Sequence, residues 1–134
     1  MIKKLLVLNM FFVGQLLFAP SSFAIKTLDK CENSNKTTAD ISRCLDDVKE
    51  AVDRELQTWI NNHTFNLEEK ALITGRYSAL KMFKRSQSNF NTFRDNDCRW
   101  QYLIVSPEKG AANAYKKCYI LLSKARIKEL SLIP

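Results

Sequence analysis

Four cysteines, a single histidine and one arginine set into an apolar stripe are the residues of this chain best equipped for chemistry. Cys31, Cys44, Cys98 and Cys118 contain no C-x-x-C pair, and His63 has no second histidine to join it. Zinc-ligand spacing is therefore missing, and no metal site is expected. His63 also lacks a serine, cysteine or acid in a recognisable relation to it and reads as a solvated turn residue. Asp53 and Glu55 point to different faces of one helix and make no acid–base pair. Without a poised nucleophile or an acid–base set, an enzyme is not expected, and neither is a cofactor. The arginine is Arg94. At helical spacing Ile73, Tyr77, Leu80, Phe83, Gln87, Phe90, Arg94 and Cys98 share one face. A buried guanidinium is tolerated only when paired and hydrogen-bonded, so Asp95, Asp97 or an acid from another helix is expected beside it. The stretch Gln87–Cys98 reads as a structural seam, with a ligand-contacting site as the alternative.

The elements that position these residues begin after a leader. Lys3 and Lys4 precede an apolar run from Leu5 to Phe18, and Ser22-Phe-Ala24 places small residues where a signal peptidase reads them. The run is short, and Asn9 and Gln15 interrupt it, which argues against a membrane span. Leu28-Asp29-Lys30 before Cys31 does not fit a lipidation site. The expectation is a signal peptide over 1–24 and one exported domain over 25–134, periplasmic or secreted, with no transmembrane segment after cleavage. In an oxidising compartment four cysteines read as two disulfides.

Ile25–Lys36 is a polar tail tied down through Cys31. Thr37-Thr38-Ala39-Asp40 has the form of a helix start, with a threonine cap and an early acid. Ile41, Leu45, Val48, Val52, Leu56 and Trp59 then recur at steps of three and four, the mark of an amphipathic helix. Asn61–Asn66 is rich in turn formers and is expected to end it. A second, unusually long helix is expected over 67–105, with Gly75 a weak point inside it. Ser106-Pro107 and Lys109-Gly110 make the next turn. A third helix carries Ala111, Tyr115, Cys118, Leu122, Ala125 and Ile127 to about Leu130. No β-period is present. The fold expected is all-α, three antiparallel helices with one long central helix, stapled by two disulfides.

Helix rise constrains the pairing. With the first turn near Asn61–Asn66, Cys44 and Cys98 sit about 20 Å apart along the bundle, too far for a disulfide. Cys98 and Cys118 are level across the turn at Pro107–Gly110. Cys98–Cys118 with Cys31–Cys44 is favoured, and Cys31–Cys98 with Cys44–Cys118 is the alternative.

The chain carries a formal charge of +7, unevenly spread. Ile25–Glu69 holds six Lys/Arg and ten Asp/Glu, while Lys70–Pro134 holds thirteen and four. Either an acidic helix packs beside basic ones, or the basic half meets an anionic partner such as an acidic protein cleft or an envelope surface. Nucleic acid is not expected, since no recognition motif is present.

Several motifs arrive together in order. Cys31-x12-Cys44 encloses Thr37-Thr38, and Asp53-x-Glu55-Leu56 follows. Next comes Gln87-x-x-Phe90-x-x-Phe93-Arg94-Asp95-x-x-Cys98, then Cys118-x4-Ser123-x-x-Arg126-x-x-Glu129-Leu130. This series resembles the LprI-like lysozyme-inhibitor family of small secreted bacterial proteins, over nearly the whole exported chain. Phe90 stands where the family has tryptophan and Ser123 where it has threonine, and the glycine-rich connection before the last cysteine is reduced to Gly110. The resemblance makes Gln87, Phe90, Phe93, Arg94, Asp95 and Arg126 the motif residues. It implies inhibition of a lysozyme-type muramidase, a binding function with a protein partner. A glycosidase cleft carries paired carboxylates, which a cation on a rigid turn could occupy. Lys109 at its turn, and Arg99 with Trp100, are the residues expected to contact a partner. Many host lysozymes are basic and would repel a basic inhibitor, so either the acidic first helix makes the contact or the target is a less basic enzyme. The alternatives are an immunity protein against a toxin delivered into the periplasm, and an envelope-binding helical module.

Overall fold

The computed structural model describes residues 27–33 and 37–134; the expected signal segment over 1–24 lies outside them. Four helices follow in order: α1 (Leu28–Glu32), α2 (Thr38–Thr74), α3 (Ser78–Val105) and α4 (Ala111–Ser131). No strand occurs among the described residues. α1 is a single turn in the expected tail, capped by Thr27, whose side chain accepts from the Lys30 amide. The three long helices run up, down and up.

Local chemistry explains where α2 starts. Thr37 Oγ1 accepts from the Asp40 amide at 3.2 Å, while the Thr37 amide donates to Asp40 Oδ2 at 3.2 Å. This reciprocal capping box satisfies two amides that the first turn leaves without partners. Hydrogen bonding to Thr37, and then the nearby Arg43, hold the Asp40 carboxyl below its ordinary value.

The end of α2 differs from expectation. The helix does not stop at Asn61–Asn66 but runs 37 residues to Thr74, so the break falls at Gly75 and the longest helix is the first long one. Asn61 Oδ1 accepts from Gln57 Nε2 at 2.8 Å, and Asn62 Oδ1 from Asn66 Nδ2 at 2.9 Å. The three asparagines thus find side-chain amide partners at i,i+4 on an exposed face. Gly75 has φ +70, a left-handed conformation that costs other residues about 1–2 kcal/mol. Its amide closes α2 on Ala71 O at 2.8 Å. In consequence Ile73 and Tyr77 leave the expected stripe and stand exposed, whereas Leu80, Gln87, Arg94 and Cys98 are buried.

α2 and α4 lie parallel, and α3 runs against both. At one end Asn113 Nδ2 donates to Thr38 O at 3.1 Å, and Lys116 Nζ to Ser42 Oγ at 2.7 Å. At the other, His63 Nε2 donates to Leu130 O at 2.9 Å. His63 is therefore no solvated turn residue: it is buried on the core face of α2, with its ring between those of Trp59 and Phe83. It adds a second donor to the Leu130 carbonyl near the end of α4, which also accepts from the Ile133 amide at 3.3 Å.

The main core joins Cys31, Leu45, Val48, Val52 and Leu56 to Ile120, Ile127 and Leu130. Leu45, Ile120 and Leu130 are fully buried, each contributing about 1.5–3 kcal/mol. Both favoured disulfides form, Cys31–Cys44 and Cys98–Cys118, with Cα–Cα distances of 5.6 and 5.4 Å. With the hairpin at Gly75, Cys44 and Cys98 differ by eight residues along the bundle. That is still about 12 Å, too far to bridge. Charge asymmetry is partly consumed inside the fold. Lys116 pairs with Asp46 at 2.6 Å, Lys117 with Glu32 at 2.5 Å and Lys84 with Glu68 at 2.9 Å.

Candidate functional site: a polar seam and the surfaces around it

The motif residues of α3 meet α4 in a seam of hydrogen bonds. Gln87, Phe90, Arg94 and Cys98 follow one another at helical spacing and face α4. Arg94 is buried, yet no carboxylate of the described residues forms an ion pair with it. Nη1 donates to Ser123 Oγ at 3.0 Å and Nη2 to Asn91 Oδ1 at 3.2 Å. Its guanidinium lies 3.8 Å from the Tyr119 ring centre and 5.2 Å from that of Phe90. The expected acid beside Arg94 is thus replaced by neutral acceptors and aromatic faces, an arrangement suited to a planar, weakly hydrated cation. Asp95 is exposed. Asp97 is engaged elsewhere, accepting from Trp100 Nε1 at 3.0 Å and Gln101 Nε2 at 3.3 Å.

Arg126 extends the seam from α4. Its Nε donates to Gln87 Oε1 at 3.4 Å, Nη2 to Ser86 Oγ at 3.0 Å and Nη1 to Glu129 at 2.7 Å. Phe90 lies between the two arginines, 5.6 Å from the Arg126 guanidinium. Of the six motif residues, Gln87, Phe90, Arg94 and Arg126 gather here, while Phe93 and Asp95 face outward.

Sequence reasoning missed the other half of this seam. Tyr119 takes Arg94 on its ring and has Lys49 Nζ 4.1 Å from the ring centre. Lys49 also donates to Asp53 Oδ2 at 2.8 Å. Burial, then a hydrogen bond to Asp53, push the Tyr119 hydroxyl above the ordinary phenol value. Burial alone would lower Lys49, but Asp53 and Tyr119 outweigh it and the ammonium is held above its usual value. The Lys49–Asp53 spacing of four was the available signal. Nothing in the sequence placed Tyr119 opposite it.

The expected partner-binding residues are not brought into one site. Trp100 is half-exposed, and Arg99 is exposed about 100° further round α3. Lys109 lines a shallow depression with Thr38, Ser42 and Asn113, where α2 and α4 begin. Among the described residues no cluster of His, Cys, Asp or Glu could hold a metal ion, and no helix is long and apolar enough to cross a membrane.

The features so far define a class, a small all-helical protein stapled by two disulfides, with a buried polar seam that bonds α3 to α4 and leaves only Gln87 Nε2, Arg94 Nε and Asn113 Oδ1 without a partner among the described residues. A family model described as Lysozyme inhibitor LprI matches residues 30–130. The chain belongs to this lysozyme-inhibitor family. No curated protein and no solved structure matches the chain.

Proposed function

We propose that this protein is exported, loses residues 1–24, and binds and inhibits a lysozyme-type cell-wall hydrolase in the periplasm or outside the cell. The family match over 30–130 carries this reading. Both disulfides support an oxidising compartment. The polar seam supports binding rather than catalysis, because its groups are turned toward one another and hold α3 to α4. The protein then acts by presenting a rigid surface, and its partner is the hydrolase itself.

The test is an inhibition assay with residues 25–134 against a panel containing a strongly basic animal-type lysozyme and a near-neutral phage-type lysozyme. Turnover of peptidoglycan is followed with and without the oxidised protein. Slowing of at least one enzyme at micromolar concentration is expected. Unchanged turnover across the panel would remove the reading.

A further inference from the structure

The break at Gly75 makes one end of the molecule unlike the other. His63, Phe83 and Leu130 lie level, joined by the His63–Leu130 hydrogen bond and the His63–Phe83 ring contact at 5.8 Å. α4 ends one residue later, at Ser131. α2 continues eleven residues beyond His63 to Thr74, about 16 Å, before returning through Gly75 into α3. The third helix gives out, and two helices carry on as a projecting hairpin. It is stiffened from within by buried Ala71 and Leu80 and closed by the left-handed glycine.

Two surface properties coincide on this projection. Leu72 and Ile73 are 74% and 78% exposed, and Tyr77 is 44% exposed, large apolar groups that the fold leaves in water beside the apex. The charge nearest the apex is positive: Lys70, Arg76 and Lys81 lie between Lys70 and Phe83 with no Asp or Glu among them, while Glu68 and Glu69 stand lower on α2, Glu68 paired with Lys84. Arg76 stands at the apex next to Gly75. It also helps line a pocket of about 210 Å³ with Lys70, Thr74 and Ser78. A narrow, rigid, cationic tip with an aromatic beside its arginine fits a concave, negatively charged groove. It does not fit a flat surface, which would engage the flanks. A glycosidase cleft is such a groove: it carries a pair of carboxylates within about 5–10 Å of each other.

We propose that the Gly75 hairpin is the inhibitory element, entering the substrate cleft of a lysozyme-type glycosidase with Arg76 directed at its carboxylates and Tyr77 against its sugar-binding wall. The inference rests on the inhibitor reading above and adds which end of the molecule does the blocking. It replaces the Lys109 turn with the Gly75 turn as the rigid presenter of a cation. A guanidinium supplies the bidentate donors that a carboxylate accepts.

The experiment uses the enzyme of the panel that the wild-type protein inhibits most tightly. Arg76→Glu/Tyr77→Ala is compared with wild type, with Trp100→Ala/Lys109→Ala at the opposite end, and with the charge-matched control Lys124→Glu. Circular dichroism and thermal midpoints establish that each variant is folded. The tip variant is expected to raise the inhibition constant at least about tenfold, the scale of losing one interface anchor, while Lys124→Glu leaves it unchanged. A soluble chitooligosaccharide that occupies the cleft is expected to compete with the wild-type protein, raising its apparent inhibition constant in proportion to occupancy. Equal inhibition by the tip variant, loss confined to the Trp100/Lys109 variant, or indifference to the oligosaccharide would overturn the tip assignment and leave the inhibitor reading standing. Failure of the wild-type protein to inhibit any enzyme would overturn both.

Discussion

Arg94 is a buried cation whose hydrogen-bond partners among the described residues are neutral, and it is held by geometry rather than by charge pairing. Its two Nη groups reach Ser123 and Asn91, and its Cζ lies over the Tyr119 ring, 3.8 Å from the centre. Hydrogen bonds to a charged group contribute about 1.5–3 kcal/mol, and only a guanidinium can donate in two directions while stacking. Arg94→Lys is therefore expected to lower unfolding stability by about 2 kcal/mol, and Ser123→Ala by about 1–2 kcal/mol, both read from urea midpoints at unchanged slope. A silent Arg94→Lys would show that the stack and the fork contribute nothing. Tyr119 makes a separate prediction. Its hydroxyl titrates above the ordinary phenol value because it is buried and bonded to Asp53, and Lys49 beside it is also raised. A group whose folded value is raised contributes stability that is complete below its unfolded value and disappears as pH climbs through the folded one. Stability should accordingly fall above about pH 10. Tyr119→Phe should flatten that alkaline limb, as followed by thermal midpoints between pH 8 and 11.

Among the elements, α2 shows why some of this fold is legible and some is not. Its start is written in Thr37 and Asp40, whose side chains act on amides three residues away, and its first six turns follow from the spacing of Ile41 to Trp59. The end misleads. Asn61, Asn62 and Asn66 are poor helix formers, yet each costs only about 0.7 kcal/mol or less. His63 on the core face and two i,i+4 amide pairs outweigh that. Helix weakness is a matter of degree that packing overrides, whereas a positive φ is a near-prohibition that only glycine escapes. The decisive signal was Gly75, which sequence alone treats as a mild defect inside a longer helix. The seam was half legible for the same reason. Spacing puts Gln87, Phe90 and Arg94 on one face, but Ser123 and Tyr119 across from Arg94 belong to α4, which packs on α2 as well as α3, and the helix period does not say which of its residues turn toward α3. Gly75→Ala tests the point. A Cβ there meets nothing within 4 Å, so its cost is the backbone conformation alone. A loss of about 1–2 kcal/mol in unfolding stability is expected. No loss would mean that the turn tolerates an ordinary residue and that something other than glycine sets the break.

At the scale of the whole molecule the two disulfides look equivalent by chain entropy but hold different things. Sequence separations of 13 and 20 give loop-closure contributions of about 3 kcal/mol each, too similar to rank. What differs is the neighbourhood. Cys31–Cys44 secures a one-turn helix, the remaining ties of which include Leu28 at the edge of the core and the Glu32–Lys117 ion pair. Cys98–Cys118 joins two of the three long helices one turn from Arg94 and beside Tyr119. Removing the first bridge by Cys31→Ser/Cys44→Ser should free a local unit, and removing the second by Cys98→Ser/Cys118→Ser should loosen the α3–α4 seam itself. Native-state hydrogen exchange separates these outcomes. The first pair is expected to lose amide protection mainly over 28–33, with the long helices still protected. The second is expected to lower protection across α3 and α4 together and to reduce global stability by about 2–4 kcal/mol. Domains of this size have only about 5–15 kcal/mol in hand, so the loss of both bridges in a reducing compartment would bring the scaffold close to unfolding. Indistinguishable exchange patterns in the two variants would show that α1 is as integral to the bundle as the seam is, and that the molecule unfolds as one unit from its tail to its tip.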